Sequence, residues 1–350
     1  MKSLKGETEH IAWKKFTDAF WNSEAHYAGD KAQFLFRRGF LRDKWALYDF
    51  AQTDPEVYLS DLQAAQVVQA NGIYVSVLQD RMLLCHTLSE YCRVPRIHAL
   101  RGFGAEEVSL SADWQAHRED INNAPPLEVT IQPLIAGTRG RTETVKVRNG
   151  SFDGFGKSGS MDRLSKIVRD WSQTARLPYL FSETLRSSAK TSALAGGHES
   201  RLSVILVRDL QNWEPAVVSA TLMLGTFRSK GGLQFGQGAL SAPVDVDTGE
   251  IGLAVELTEG GRLHHHTTHP ETGAPIAGTG IEGWEQSRRT LLRIMDESSY
   301  MRMALLDFAL LENGELGLLG PSQVDFGAVQ VHGPLLGHPV FAETLRKLVV

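Results

Sequence analysis

Cysteine is nearly absent, with two residues in 350, Cys85 and Cys92. That is too few for a disulfide framework or a four-cysteine zinc site. The pair lies seven residues apart in a segment with helical texture, which would separate them by roughly 10 Å along the axis. A disulfide needs Cα atoms within about 7 Å, so two reduced, structural thiols are expected. Long apolar runs are missing as well. Nothing approaches the roughly 18 residues of a membrane span, and MKSLKGETEHIAWKKF holds no signal-type apolar core, so a cytoplasmic protein is expected. The chain also lacks a basic block. With 36 Lys+Arg against 41 Asp+Glu, a net charge of −5, it has no cationic stripe to follow a phosphate backbone, and a nucleic-acid partner is not expected. Neither a fixed-period repeat nor a low-complexity linker divides it.

What is present is the composition of a folded chain: 42% hydrophobic residues, 22% charged residues and 33 glycines. Its length calls for more than one lobe. Residues 1 to about 95 read as helical, with Trp13, Phe16 and Phe20 at spacings of three and four. Asp54-Pro55 is a helix start, predicting a helix over about 55–70. YVSVLQDRMLLCHTLSEYC continues the helical pattern until Val94-Pro95 stops it ahead of the short apolar RIHAL.

From about 125 the period changes to two. LEVTIQPLIAGTRGRTETVKV predicts a hairpin with a glycine-bearing tip, and MDRLSKIVRDWSQTA predicts a helix after the loop SFDGFGKSGS. LSVILV, AVVSATLML and APVDVDTGEIGLAV read as strands, the last broken by the turn Asp247-Thr248-Gly249. A helix at about 284–297, a strand pair turning at Glu312-Asn313-Gly314 and a C-terminal helix from Pro339 complete the reading. The fold class is α+β, with the chain divided as 1–95, 96–185 and 186–350. Strands do not alternate regularly with helices, which disfavours a doubly wound sheet.

Several features could carry chemistry. The tip Ala136-Gly137-Thr138-Arg139-Gly140 could lay backbone N–H groups on phosphates beside Arg139 and Arg141, or be a plain turn. His264, His265, His266 and His269 could bind a metal or an anion, but on an extended chain only His264 and His266 share a face. Asp307 lies among apolar neighbours in MALLDFALL, where a carboxylate needs a partner or a role. Glu183 in PYLFSETL has the same ambiguity.

The order of these segments, from about Phe34 to Gln330, resembles the sugar-transfer-associated branch of the ATP-grasp superfamily, related to glutamate-ligase-type enzymes. VLQDRMLLCHTL followed by RVPRIHAL matches a helix start and a proline-bearing strand of that family. PVDVDTGEIG and THPETGAPIAGTGIEGW match an Asp-Thr-Gly turn and a His-Pro-Asp-Thr-Gly segment leading to a tryptophan. The resemblance implies a two-lobed ATP-grasp-like fold and a carboxylate-amine ligase that uses ATP and magnesium through an acyl phosphate, in polysaccharide or secondary-metabolite biosynthesis. Its substrates would be a small carboxylate and an amine or sugar-linked partner. Asp307 would be the metal ligand and, with Arg228, catalytic. Gln132, Gly137, Arg139, Gly140, Lys146 and Glu183 would contact ATP, with Glu183 at the adenine hinge. His269 and Lys230 would contact substrate.

The pattern also departs from the family. Gln132 stands where the family has a lysine, Ser203 where it has an arginine, and Gly320 and Ser322 where metal ligands follow the strand, leaving Lys146, Arg139, Arg141, Arg228 or Lys230 to supply charge and Gln323 or Asp325 to reach a metal. Each lost contact of this kind commonly lowers a rate by about 100-fold or more. Two readings follow: a divergent ligase, in which Asp307→Ala removes activity with little change in melting temperature, and an inactive relative acting as a binding or regulatory module. A metal enzyme built on His264, His266 and His269 is a third.

Overall fold

The computed structural model describes the chain except Met1, residues 23–28, 68–69, 120–123, 259–260, 323–324 and Val350, and except the side chains of residues 2–11, 348 and 349. The fold is α+β. It forms two compact units, a larger one of Met1–Val75, Ser187–Glu315 and Val324–Val350 and a smaller one of Ser76–Arg186 and Leu316–Gln323. Among the described residues, no helix is long and apolar enough to cross a membrane.

In the smaller unit, seven strands form one antiparallel sheet: β1 (Ile97–Arg101), β2 (Glu107–Ser109), β3 (Leu127–Pro133), β4 (Glu143–Arg148), β5 (Ser151–Gly154), β6 (Lys157–Ser160) and β7 (Tyr179–Glu183), in the order β2-β1-β7-β3-β4-β5-β6. The period of two sorts its side chains. Val129, Ile131, Val145, Val147 and Phe181 are buried in one core with Met161, Leu164 and Val168 of helix Met161–Ala175. Ser160 caps that helix by accepting from Arg163 N–H, and Arg176 ends it in a left-handed conformation. The alternate residues Glu128, Thr130 and Gln132 of β3, with Thr144 and Lys146 of β4, make the opposite, polar face. Strand Leu316–Pro321 joins this unit beside Arg93, whose N–H donates to Leu316 O at 3.0 Å and whose O accepts from Leu318 N–H at 2.8 Å.

The larger unit holds β8 (Ser200–Arg208), β9 (Pro215–Leu224), β10 (Leu240–Val244), β11 (Ala254–Leu257), β12 (Leu263–His266) and β13 (Met303–Leu310), antiparallel in the order β12-β11-β10-β9-β8-β13. Helix Trp284–Glu297 packs on β8 and β9 and buries Leu291, Ile294 and Met295. Ile205 and Val207 of β8 meet Leu59 and Val67 from the helical N-terminal region and Phe341 and Leu345 from helix Pro339–Val349. A second, aromatic-rich core gathers Phe16, Phe20, Phe40, Tyr48, Phe50 and Tyr58 against Met223 and Val255.

Two helical expectations are corrected. The segment 55–70 is a 3₁₀ turn at Pro55–Val57 and a helix at Asp61–Val67, with an extended break at Tyr58. Gln330 causes the break: its Oε1 accepts from Leu59 N–H at 2.7 Å and its Nε2 donates to Leu59 O at 3.0 Å, pairing backbone that a helix would otherwise use. The helix expected through Cys92 is two pieces, Val75–Gln79 and Arg81–Leu88, because Asp80 turns extended and caps the second piece through Met82 and Leu83 N–H. Cys85 and Cys92 are free thiols, and burial pushes the Cys85 thiol up to about 11.

Candidate functional site

On the polar face of the smaller unit, register puts Gln132 opposite Leu180, Thr130 opposite Ser182 and Thr144, and Lys146 between Glu128 and Asp153. Gln132 is buried and Lys146 is exposed. The hydroxyls of Thr130 and Thr184 lie 2.8 Å apart at one end of this face. The expected ATP contacts Gln132 and Lys146 therefore share one surface, and the hairpin tip closes its other end. In that tip Gly137 takes a φ of 76° in open space, and Gly140 is enforced sterically, since a Cβ there would lie 2.3 Å from Pro133 Cγ. Tyr179 Oη accepts from Arg141 N–H at 3.0 Å and fixes the return strand, while the Arg139 side chain is exposed.

Glu183 does not join Gln132 and Lys146. Paired with Val129, it alternates to the other face, where its Oε1 accepts from Arg93 Nη2 at 2.7 Å and its Oε2 from Arg96 N–H at 3.1 Å. A cleft of about 590 Å³ opens at these strand ends, and its lining includes Arg93, Arg96, His98, Glu128, Glu183 and Thr184. The Arg186 guanidinium grips Glu128 in a fork and holds its carboxyl below the usual range. His98 is pushed down by burial and by Arg96, and its Nδ1 lies 3.0 Å from Ser111 Oγ.

In the larger unit Asp307 sits opposite Ser203, only 6% exposed. Ser203 Oγ donates to its Oδ1 at 2.6 Å, and Arg201 Nη1 reaches its Oδ2 at 3.3 Å. Both carboxylate oxygens are thus occupied by the protein, one of them by a cation. A magnesium ion takes six oxygen ligands and keeps several waters, whereas this position offers one buried carboxylate beside a guanidinium. The residues do not fit the ion, and among the described residues no three His, Cys, Asp or Glu side chains converge to hold one. In the smaller unit Gly320 has a φ of 136°, which strains any side chain placed there. Gln323 lies outside the described residues, and Asp325 caps helix Phe326–Gln330 through Gly327 and Ala328 N–H.

The remaining expected residues gather around the loop after β9. Arg228 Nη1 pairs with Glu256 Oε1 at 2.9 Å, and His266 Nε2 lies 3.3 Å from Glu256 Oε2. Lys230 is exposed with a left-handed φ of 55°. His269 is fully buried: Nε2 donates to Gly225 O at 3.1 Å and Nδ1 accepts from Glu271 N–H at 3.4 Å. His264 and His266 do share a face of β12, as their register against Glu256 and Ala254 requires.

Sequence reading missed Arg201, Arg93 and Arg96. Strand alternation was a signal for the first, because residues 201 and 203 share a face; the register bringing Asp307 to them was not.

No protein-family model matches the chain, and no curated protein matches it. Solved structures similar to it include the D-Ala:D-Ser ligase VanG from Enterococcus faecalis, at TM-score 0.41 and 10% identity over 79% of this chain and 63% of that one. Others are an ADP complex of N5-carboxyaminoimidazole ribonucleotide synthetase (0.39, 10%, 79% and 58%) and the ATP-grasp ligase PsnB with its minimal precursor (0.35, 12%, 80% and 63%). The chain spans about three fifths of the length of these three. Such values assign no family.

Proposed function

We propose that this chain is an ATP-grasp relative that binds an adenine nucleotide without magnesium and does not carry out the carboxylate-activating step. One observation carries this reading: the Asp307 carboxylate is buried with Ser203 on one oxygen and Arg201 on the other. Recruiting a divalent cation there would break a buried hydrogen bond and set two cations side by side. The nucleotide would lie on the polar face of the smaller unit, its phosphates near the exposed Lys146 and the glycine-bearing tip with Arg139. Backbone N–H groups and lone cations neutralise phosphate without a metal.

A working ligase is the second reading, favoured by Lys146 and Gln132 sharing that face. The two are separated by phosphate release from magnesium-ATP, measured with pools of small carboxylates and amines. The binding-module reading expects a rate equal to the blank and unchanged in Asp307→Asn. Release that requires both a carboxylate and magnesium, and is lost in Asp307→Asn, would overturn it in favour of the ligase.

A further inference from the structure

The cleft at the strand ends of the smaller unit has a different chemistry from the polar sheet face. Its charges come in opposed pairs. Arg93 holds Glu183 at 2.7 Å, Arg96 holds Asp113 at 2.7 Å, and Arg186 holds Glu128. Between the charges lie Val94, Pro95, Pro126 and Leu127, an apolar lining with few rotatable bonds. A volume near 590 Å³ is within the usual range for small-molecule sites.

We infer that this cleft binds a small zwitterion, a free α-amino acid or close analogue, whose carboxylate pairs with Arg93 and Arg96 and whose ammonium pairs with Glu183. Binding proceeds by exchange of partners. An ion of one sign that displaced Glu183 from Arg93 would leave a charge without a partner, and the exchange would gain nothing. A zwitterion inserted between them replaces one ion pair by two. Opening the pair is cheap, because the side chains of Arg93 and Glu183 are 49% and 32% exposed, and ion pairs at such exposure contribute little. The planar guanidinium fork suits a carboxylate in two-point contact. Meanwhile the Arg96 backbone N–H keeps Glu183 Oε2 anchored at 3.1 Å, so its other oxygen can turn to an ammonium without the side chain leaving the cleft. Glu183 alternates away from the polar face proposed for the nucleotide, and the cleft meets that face at Glu128, opposite Lys146, and at Thr184.

The test is calorimetric titration of the full chain with the twenty free L-amino acids one by one, and with acetate and methylammonium as single-charge probes. At least one amino acid is expected to bind with a Kd of about 1 mM or tighter, while acetate and methylammonium at equal concentration give no heat. Arg93→Gln and Glu183→Gln should each weaken binding about tenfold or more, and Arg93→Lys, which keeps charge but loses the fork, by less. Near-ultraviolet circular dichroism and the melting temperature establish that each variant is folded. A variant that is misfolded is replaced by Arg96→Gln, for which the same loss is expected. Absence of heat from every amino acid, acetate binding as tightly as the amino acids, or folded variants binding like the parent would each overturn the proposal.

Discussion

Asp307 shows how one residue changes meaning when its partner is known. In sequence it is a carboxylate in an apolar strand, which chemistry or structure can equally explain. Register supplies Ser203 directly opposite, and Arg201 reaches it from the same side of β8. The carboxylate is therefore held as part of the packing, and replacing it should be felt in stability. Asp307→Ala removes the charge that balances Arg201 and the acceptor that satisfies Ser203. A loss of about 2–3 kcal/mol is expected in urea denaturation, at or below the low end for a broken buried ion pair because Arg201 is partly exposed. Asp307→Asn keeps an acceptor for Ser203 and should lose less. This differs from the expectation for a metal ligand, whose removal spares the melting temperature. An Asp307→Ala variant as stable as the parent would contradict the packing role.

At the scale of elements, legibility followed sequence distance. Helix Met161–Ala175 and helix Trp284–Glu297 have the extents their periodicity predicts, because their apolar faces lie within the segments themselves. The break at Tyr58–Ser60 could not be read, since its cause, Gln330, is 271 residues away. That glutamine is 1% exposed, donates from Nε2 to Tyr48 Oη and Leu59 O, and accepts at Oε1 from Leu59 and Leu335 N–H. Gln330→Ala leaves those groups buried without partners, so a loss of about 2–4 kcal/mol is expected. Hydrogen exchange should speed most at Leu59 and Leu335. Unchanged protection at both amides would show that Gln330 is not the clamp. In the candidate site, Gln132 and Lys146 share a face through the register of β3 on β4, and the position of Glu183 against Arg93 depends on pairing between β1, β7 and β3.

For the molecule as a whole, the sequence carried the α+β class, the helical start and the strand-rich blocks, because composition and period are properties of every segment. It did not carry the division into units, in which strand Leu316–Pro321 belongs to the smaller unit while the residues just before it in sequence belong to the larger. Global stability should also depend on pH through His332. Burial pushes its imidazole down from 6.5 to about 4, and its Nε2 donates to Ser241 Oγ, whose own proton is given to Ala328 O. The folded state favours the neutral ring, so the unfolded chain takes up the proton first on acidification. The stability this provides is whole above pH 6.5, shrinks as pH falls towards 4, and is gone below it. His332→Gln should flatten the fall in unfolding free energy between those limits by up to about 3 kcal/mol. Parallel curves for variant and parent would contradict it.

The central claim is that the chain binds a nucleotide without the metal. Calorimetric titration of the full chain with a non-hydrolysable ATP analogue, in EDTA and again in magnesium, tests it most directly. Binding of equal affinity in both buffers, weakened by Lys146→Ala and accompanied by a rise in melting temperature, is the predicted result. Binding that appears only with magnesium, or no binding in either buffer, would contradict it.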